Sequence, residues 1–277
     1  MISVIIPIYN SGNYVKKALD SALQQEVDKE IILIDDFSND GTREWLDESF
    51  ETQYEISEKN IAGNEINAAD VKSVLVWQGK IKNTSVSFYK NISNYGVAKT
   101  RNFGVAVCSG EYIALLDADD WWEDDKLVRQ MKMINKTNAV LCNTARELVG
   151  PDEKSIGHII DTPKKITIKE LEKTNYINCS SVLVKKEALN KYPMEHDDAH
   201  EDYLTWLKIL KEYKYAVGIN YPLLKYRLTN EGKSRNKFKS ARMTYKTYCY
   251  AGYNKFRAFI MMFSYTYHGL KKHKNIF

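Results

Sequence analysis

Short apolar runs that alternate with amphipathic stretches most constrain the fold of this chain. Strand-like runs occur at residues 3–7, 30–34, 88–90, 112–116 and 139–142, and helix-like stretches lie between them at residues 13–24, 42–50, 96–108 and 123–135. Such alternation favours a mostly parallel central sheet flanked by helices. The chain is therefore predicted to have an α/β fold.

The remaining segments carry a weaker pattern. Residues 52–85 are polar apart from the strand-like run Val74-Leu75-Val76-Trp77, which predicts an inserted hairpin. Residues 180–184, 203–212 and 215–219 are predicted to form a strand, a helix and a strand, in that order.

Three carboxylates follow one of the predicted strands directly. The segment Asp117-Ala118-Asp119-Asp120 comes after the apolar run of residues 112–116 and before Trp121-Trp122. Ligands bind at the carboxyl ends of the strands in open α/β sheets, and clustered carboxylates there repel one another unless a cation lies between them. A divalent metal that holds a substrate diphosphate is a common partner of such a cluster. The segment therefore indicates nucleotide chemistry.

The same acids also have a purely structural interpretation. Asp120 and Glu123 have the spacing of a capping box, which would open a helix at about Trp121. This interpretation explains one or two of the acids but leaves Asp117 unexplained.

Composition limits the cell compartment and the number of domains. The chain has 277 residues, 44% of them hydrophobic, enough for one large α/β domain or a domain with an appendage. A strand begins almost at the first residue, which leaves no room for a signal peptide, and no apolar stretch approaches the roughly 18 residues that span a bilayer. The four cysteines are widely scattered, so we expect them to be reduced and buried, in a cytoplasmic protein.

Positive charge is concentrated at the C-terminal end. Residues 232–277 contain eleven Lys or Arg and no Asp or Glu, so the preceding 231 residues carry a net charge of −7 although the whole chain carries +4. A basic block of this kind indicates an anionic partner, either a membrane surface or nucleic acid. Nucleic acid is the weaker candidate, because the acidic remainder of the chain offers no continuous track for phosphates.

The basic tail is also rich in aromatic residues. Tyr245, Tyr248, Gly252, Phe256, Phe259, Phe263, Tyr267 and Leu270 recur at spacings that place them on one helical stripe, with Arg242, Lys246 and Arg257 on one side and Lys255 on the other. Two interpretations stay open: a helix that lies on a membrane surface with its cations toward lipid headgroups, or a helix that closes the core.

Four segments in a fixed order carry a family resemblance. They are Pro7-Ile8-Tyr9-Asn10, the run from Asp35 to Thr42, the stretch from Asn94-Tyr95-Gly96 through Arg101-Asn102 to the acidic segment, and Glu201-Asp202. In this series, over about residues 2–230, the chain resembles the family 2 glycosyltransferases. These are inverting enzymes with a Rossmann-like fold of the GT-A type, and they transfer a sugar from a nucleotide-diphosphosugar donor.

The resemblance implies a role for each residue on the donor side. Asp36 matches the family's base-reading position, and a carboxylate there accepts the one N–H of a uracil ring. Tyr9 would stack on the base unless it is a packing tyrosine, and Pro7 belongs to the same segment. Arg101 would contact the donor unless it is a surface residue of its helix.

The resemblance also implies separate roles for the residues of the acidic segment, and it implies a catalytic base. Asp117 would lie near the ribose with Ala118 beside it, and Asp119 would bind the Mn²⁺ or Mg²⁺ that bridges the diphosphate. Asp202 matches the catalytic base that takes the proton of the acceptor hydroxyl, with Glu201 as its competitor. A separate metal site within residues 195–202 and a simple helix cap at Asp202 are the structural alternatives.

The sequence therefore predicts a transferase that moves a sugar from a UDP-sugar to a glycan or lipid-linked acceptor. The protein is expected in the cytoplasm, either free or bound peripherally to the inner face of the cell membrane. Residues 1–231 would form the catalytic domain, with 1–120 for the donor and 121–231 for the acceptor, and residues 232–277 the basic tail. The alternatives are a sugar nucleotidyltransferase of related fold, whose Gly-rich basic loop is missing after the first strand, and a non-catalytic binder of membrane surfaces.

Overall fold

The structure, a computed structural model, describes residues 1–48, 54–61, 63–228 and 237–272. The strands are β1 (Ile2–Ile8), β2 (Lys29–Asp35), β3 (Ile56–Asn60), β4 (Glu65–Ala68), β5 (Val71–Ile81), β6 (Thr84–Asn91), β7 (Tyr112–Leu115), β8 (Trp121–Trp122), β9 (Leu141–Val149), β10 (Ser155–Ile160), β11 (Lys165–Thr167), β12 (Leu183–Lys185) and β13 (Tyr215–Arg227). The helices are α1 (Tyr14–Leu23), α2 (Thr42–Glu48), α3 (Val97–Val107), α4 (Lys126–Thr137), α5 (Ile168–Leu171), α6 (Lys186–Lys191), α7 (Glu201–Tyr213), α8 (Lys237–Tyr250) and α9 (Lys255–Lys272).

The described strands join into one sheet in the order β11-β13-β9-β12-β7-β1-β2-β6-β5-β3, with β10, β4 and β8 added to β9, β5 and β13. Strands β7, β1, β2 and β6 pair in parallel at the centre. Toward both edges most pairs are antiparallel, beginning with β12 beside β7 and β5 beside β6. The predicted α/β class is confirmed, and the parallel order that the alternation predicts is concentrated in the four central strands.

Residues 71–91 form the predicted hairpin. Strands β5 and β6 pair from Ile81 opposite Thr84 onward, across a two-residue turn in which Lys82 has a φ of 54°. A connection this short joins only antiparallel strands. Strands β3 and β4 extend the hairpin by pairing with β5, while residues 52, 53 and 62 of the predicted insertion lie outside the described residues.

Both faces of the central strands are buried. In β1, Val4 shares one core cluster with Leu19 of α1, whereas its neighbour Ile5 belongs to the cluster on the other face with Phe103 of α3. A strand covered on both faces carries apolar side chains at consecutive positions, which explains the continuous apolar run in β1. The carboxyl ends of β1, β2, β6 and β7 consequently open at one edge, between the two helical layers.

The structure corrects the prediction of a helix at Trp121. Trp121 and Trp122 form strand β8, which pairs antiparallel with Leu224 and Lys225 of β13, and the next helix begins only at Lys126. The capping box of Asp120 and Glu123 is therefore wrong. The deciding contact is a pairing with a strand about a hundred residues away, which local spacing does not reveal.

Residues 180–184 do not form one strand. Residues Cys179–Ser181 make a turn of 3₁₀ helix, and the strand starts at Leu183. The four cysteines are free, and three of them are buried as predicted, whereas Cys249 is half-buried.

The tail forms two helices instead of one continuous stripe. Helix α8 ends at Tyr250 and α9 begins at Lys255, with Gly252 between them at a φ of +87°, a conformation that favours glycine. Tyr248 of α8 is fully buried, whereas Phe256 of α9 is 76% exposed. Within residues 237–272, one helix thus closes the core and the other presents an apolar face. No helix among the described residues is both long and apolar enough to cross a membrane.

Gly104 sets how closely α3 approaches the sheet. A Cβ atom at this position would lie 2.6 Å from Cγ2 of Ile5 and 3.0 Å from Cδ1 of Ile34. Helix α3 carries part of the site described below, so its distance from the sheet determines the position of that part.

Gly104→Ala is expected to lower the free energy of unfolding by about 1–3 kcal/mol, because the added methyl group overpacks the contact between α3 and β1. Chemical denaturation measures the change. Gly269→Ala is the matched control: nothing lies within 4 Å of its Cβ position in α9, so the better helix propensity of alanine should stabilise the protein by about 0.5–1 kcal/mol. Equal effects of the two substitutions would contradict the close approach.

Candidate active site

A cavity of about 800 Å³ lies at the carboxyl edge of the central strands. Its lining comes from the ends of β1, β2 and β7, from the start of α3 and from the end of β13. The lining residues are Pro7, Ile8, Tyr9, Asn10, Ser11, Tyr14, Asp36, Asn94, Gly96, Val97, Thr100, Arg101, Asp117, Ala118, Asp119, Pro151, Glu201, Tyr226, Arg227 and Leu228. The cavity thus brings together every predicted donor-side residue.

Asp36 is held in place by the segment that precedes α3. Its Oδ1 accepts hydrogen bonds from Nδ2 of Asn91 at 2.7 Å and from the backbone N–H of Tyr95 at 3.0 Å, and its Oδ2 accepts the backbone N–H of Gly96 at 2.9 Å. Nδ2 of Asn94 donates to the backbone carbonyl of Asp36 at 3.1 Å. Asp36 is 3% exposed, and its carboxylate is oriented by three hydrogen bonds, one from the end of β6 and two from the loop before α3.

Tyr9 follows β1 and stands over the mouth of the cavity. Its side chain is 51% exposed, so it does not belong to the buried core. Pro7 and Ala118 line the cavity beneath it, and Ala118 is buried. A flat aromatic ring that is exposed beside a cavity is available for stacking on a planar ligand.

Arg101 joins the two halves of the site. Its guanidinium donates to Oδ1 of Asp117 at 2.5 Å and to Oε1 of Glu201 at 3.3 Å. Arg101 is only 4% exposed, so the interpretation as a surface arginine is wrong. The two carboxylates raise its pKa further and outweigh the opposing effect of burial.

The acidic segment separates into three environments. Asp117 pairs with Arg101, and its backbone N–H donates to Oγ of Ser180 at 3.1 Å. Asp120 is 1% exposed and its Oδ1 accepts the backbone N–H of Arg227 at 3.0 Å. Asp119 lines the cavity, and burial together with the negative charge of Asp117 raises its pKa to about 6.

The donor set at Asp119 fits a divalent ion that takes most of its ligands from a substrate. Within the described ranges, no three His, Cys, Asp or Glu side chains are grouped to hold a metal by themselves. The like charges of Asp117 and Asp119 at the cavity wall disfavour ionisation of Asp119, and a bound cation would relieve that repulsion. Hard carboxylate oxygens are the ligands that Mg²⁺ and Mn²⁺ prefer.

Asp202 lies in the first turn of α7, next to the cavity-lining Glu201. Its Oδ1 accepts the backbone N–H of Tyr203 at 2.7 Å, and the N-cap position of α7 is occupied by His200 instead. Burial and the charge of Glu201 raise the pKa of Asp202 to about 7. Its charge in turn contributes to the raised pKa of Tyr265, which lies on α9.

The side chains of residues 195–202 do not gather around one point. Glu195 pairs with Lys208 at 2.6 Å, the ring of His196 stacks on Tyr250 with 3.7 Å between centroids, and Asp198 pairs with Lys246. These three groups have separate partners, and no three ligating side chains of the described residues are grouped to hold a metal, so the alternative of an independent metal site in this segment finds no support in the geometry.

Sequence reasoning missed Arg227. Its guanidinium is buried and donates to the backbone carbonyl of Asp119 at 2.9 Å and to that of Pro151 at 3.2 Å, and it lies 4.1 Å from the ring centroid of Tyr14. It supports the cavity wall beneath Asp119. Its partner Asp119 lies 108 residues earlier, and no motif in the sequence connects the two.

The sequence model of glycosyl transferase family 2 matches residues 3–64 and 75–193. The chain belongs to this family. The matched residues contain Tyr9, Asp36, Arg101 and Asp119 of the cavity, while Asp202 lies beyond the match.

Related sequences agree with membership of family 2. A Bacillus subtilis glycosyltransferase assigned to teichuronic acid biosynthesis, TuaG, is 30% identical over 249 residues, which cover 90% of this chain and 87% of TuaG. The Escherichia coli enzyme WfgD, named a UDP-Glc:α-D-GlcNAc-diphosphoundecaprenol β-1,3-glucosyltransferase, is 28% identical over 277 residues, 99% of this chain and 95% of WfgD.

Solved structures show that this glycosyltransferase has the GT-A type fold. Residues 1–349 of Staphylococcus aureus TarS with bound UDP superpose with a TM-score of 0.63 at 15% identity, covering 99% of this chain and 73% of that one. A Pyrobaculum calidifontis mannosyltransferase with GDP-Man and Mn²⁺ gives a TM-score of 0.62 at 17% identity, covering 90% and 63%.

Arg101→Met is expected to lower the free energy of unfolding by about 3–5 kcal/mol, because it leaves two largely buried carboxylates without their cation. Adding Glu201→Gln removes one of these charges, so the double variant should recover at least about 1 kcal/mol relative to Arg101→Met alone. Chemical denaturation of the wild type, both single variants and the double variant gives the coupling energy. A coupling within about 0.5 kcal/mol of zero would contradict the bridging role of Arg101.

Proposed function

We propose that this glycosyltransferase is metal-dependent and inverting, and that it moves a sugar from a UDP-sugar donor to a hydroxyl group of a glycan or lipid-linked acceptor. One observation carries the proposal. A single cavity at the carboxyl edge of the sheet gathers Tyr9, Asp36, Asp119 and Glu201, and Asp202 is the next residue in the chain.

Asp36 and Tyr9 supply the contacts that a uracil base requires. An ionised carboxylate offers about four acceptor positions, and three of those on Asp36 are occupied by Asn91, Tyr95 and Gly96. The remaining position suits the one N–H of uracil, which lies between two carbonyl groups. Tyr9 would cover the ring, and Asp117, which also faces the cavity, would lie near the ribose.

Asp119 is the residue that would hold the metal. When held there, Mn²⁺ or Mg²⁺ would supply Lewis-acid stabilisation of the nucleoside diphosphate leaving group. Arg101 and Arg227 both line the cavity and add positive charge close to the same wall. Arg101 orients Asp117, and Arg227 holds the backbone of Asp119.

Asp202 is the proposed general base. As the acceptor oxygen bonds to the anomeric carbon, the bond from that carbon to the donor diphosphate breaks and the hydroxyl proton passes to the carboxylate of Asp202. A base works best when its pKa lies near the working pH, and that of Asp202 is raised to about 7. Glu201 is paired with Arg101 and is the poorer candidate.

The relatives support an acceptor attached to a lipid and a role in cell-surface polysaccharide synthesis. TuaG is assigned to teichuronic acid, and the name of WfgD specifies a diphosphoundecaprenol acceptor. An acceptor of that kind would place this chain in the cytoplasm, at the inner face of the cell membrane. Membership of family 2 argues against the two alternatives, the sugar nucleotidyltransferase and the non-catalytic binder.

The raised pKa of Asp202 predicts the pH dependence of transfer. Because only the ionised carboxylate accepts a proton, log(kcat/KM) at saturating Mn²⁺ should rise with unit slope up to about pH 7 and then level off. Asp202→Asn should reduce kcat by roughly 10²–10⁴-fold and leave the Kd for UDP nearly unchanged.

Glu201→Gln is the control for this assignment. Glu201 contributes to the raised pKa of Asp202, so its neutralisation should move the acidic limb to lower pH. A limb near pH 4 in the wild type, or substantial turnover by Asp202→Asn, would remove Asp202 from the mechanism.

Metal removal tests the role of Asp119. Hydrolysis of UDP-glucose, UDP-N-acetylglucosamine and GDP-mannose by the purified protein should stop in excess chelator and return with Mn²⁺ or Mg²⁺, with both UDP-sugars preferred over GDP-mannose. Asp119→Asn should raise the Mn²⁺ concentration for half-maximal activity by about tenfold or more, since it removes a charged ligand. Full activity in thoroughly chelated protein would refute the proposed metal dependence. A preference for GDP-mannose would refute the proposal that Asp36 recognises uracil.

A further inference from the structure

Helix α9 presents a row of large apolar side chains that no described residue covers. The exposed fractions are 76% for Phe256, 49% for Phe259, 52% for Ile260, 58% for Phe263 and 67% for Tyr267. These five residues are called the outer face of α9. An exposed contiguous patch of this kind marks an interaction surface.

The outer face occupies one side of the helix. At roughly 100° per residue, its five residues fall within an arc of about 100°. The side chains on the opposite side, those of Ala258, Met261 and Tyr265, pack into the protein core. Helix α9 is therefore fixed to the domain along one side and exposes aromatic and aliphatic groups along the other.

The charged residues within α8 and α9 themselves have one sign. Helix α9 contains Lys255, Arg257, Lys271 and Lys272 and no Asp or Glu, and α8 likewise contains only basic charged residues. Lys255 is exposed, and Arg257 is 58% exposed although it lies 3.5 Å from Glu172. Apolar residues flanked by cations match the interface of an anionic bilayer.

The buried side of α9 touches the catalytic helix. The ring of Tyr265 lies 5.6 Å from that of Tyr203 in α7, and Asp202 is near enough to contribute to the raised pKa of Tyr265. Tyr265 lies on the side of α9 opposite the outer face, so the outer face and α7 lie on opposite sides of α9.

We propose that the outer face of α9 lies in the headgroup region of an anionic phospholipid bilayer and holds the acceptor side of the active site at that surface. The inference rests on the proposed function for its purpose, because a lipid-linked acceptor presents its sugar at such a surface. The apolar side chains enter the boundary between headgroups and acyl chains, and the flanking cations pair with lipid phosphates.

Charge disfavours a second copy of the chain as the occupant. Parallel pairing of two α9 helices would place identical basic ends together, and antiparallel pairing would set the basic first turn of one helix against the Lys271-Lys272 end of the other. Neither arrangement supplies an acidic partner, since α9 contains none. A bilayer that contains anionic lipid supplies negative charge along the whole helix.

Vesicle sedimentation of the full chain tests the proposal. The wild type should co-sediment with vesicles of phosphatidylcholine containing about 30% phosphatidylglycerol, and less with phosphatidylcholine alone or in about 0.5 M NaCl, which screens the lipid charge. The triple variant Phe256→Ser/Phe259→Ser/Phe263→Ser should lose at least about tenfold in partition coefficient. Ile156→Ser/Ile159→Ser, two exposed positions in β10, is the matched control and should bind as the wild type does.

UDP titration of all three proteins separates this inference from the proposed function. Equal Kd values for UDP would show that the triple variant is folded and has an intact donor site. Equal vesicle binding by the triple variant and the wild type would overturn the proposal that the outer face of α9 binds a membrane. The absence of vesicle binding by the wild type would also overturn it, even if UDP binds. If the wild type forms a dimer in the absence of lipid and the triple substitution dissociates that dimer, the outer face binds a second copy of the chain. This result would overturn the membrane proposal as well.

Discussion

The buried guanidinium of Arg101 is the contact on which the site depends. It holds Asp117, 16 residues away at the end of β7, and Glu201, 100 residues away at the start of α7. One side chain thereby fixes the distance between the wall proposed for the donor and the helix proposed to carry the base. Since breaking a buried ion pair leaves uncompensated charge, the two halves cannot separate without a large cost in stability.

The remaining carboxylates make the site electrostatically unfavourable on its own. Burial and like charges raise the pKa of Asp119 to about 6 and that of Asp202 to about 7, and they raise the pKa of the fully buried Asp120 well above its usual range. A fold selected for stability alone would not place these groups together. Such departures from local optimality are characteristic of functional sites. Asp119 lines the cavity, and Asp120 and Asp202 each follow a cavity-lining residue in the chain.

Much of the site was predictable because parallel strands bring their carboxyl ends to one edge. Asp36 and Asp119 each follow an apolar run, so topology alone makes them neighbours. The strand at Trp121 and the support from Arg227 depend on pairings across about a hundred residues, which local periodicity does not encode. The tail shows the same limit: its spacing predicts one helical stripe, whereas its described part forms two helices separated at Gly252, which has a positive φ.

The loop around Asp36 has a consequence for selectivity. Asn91, Asn94, Tyr95 and Gly96 fix the position of Asp36 through hydrogen bonds within the protein itself. The conformational entropy of ordering this group is thus lost during folding and not again when a ligand arrives. Preorganisation of this kind makes the loop before α3 a determinant of the proposed base recognition, because a loosened backbone there would release the carboxylate of Asp36 from its fixed orientation.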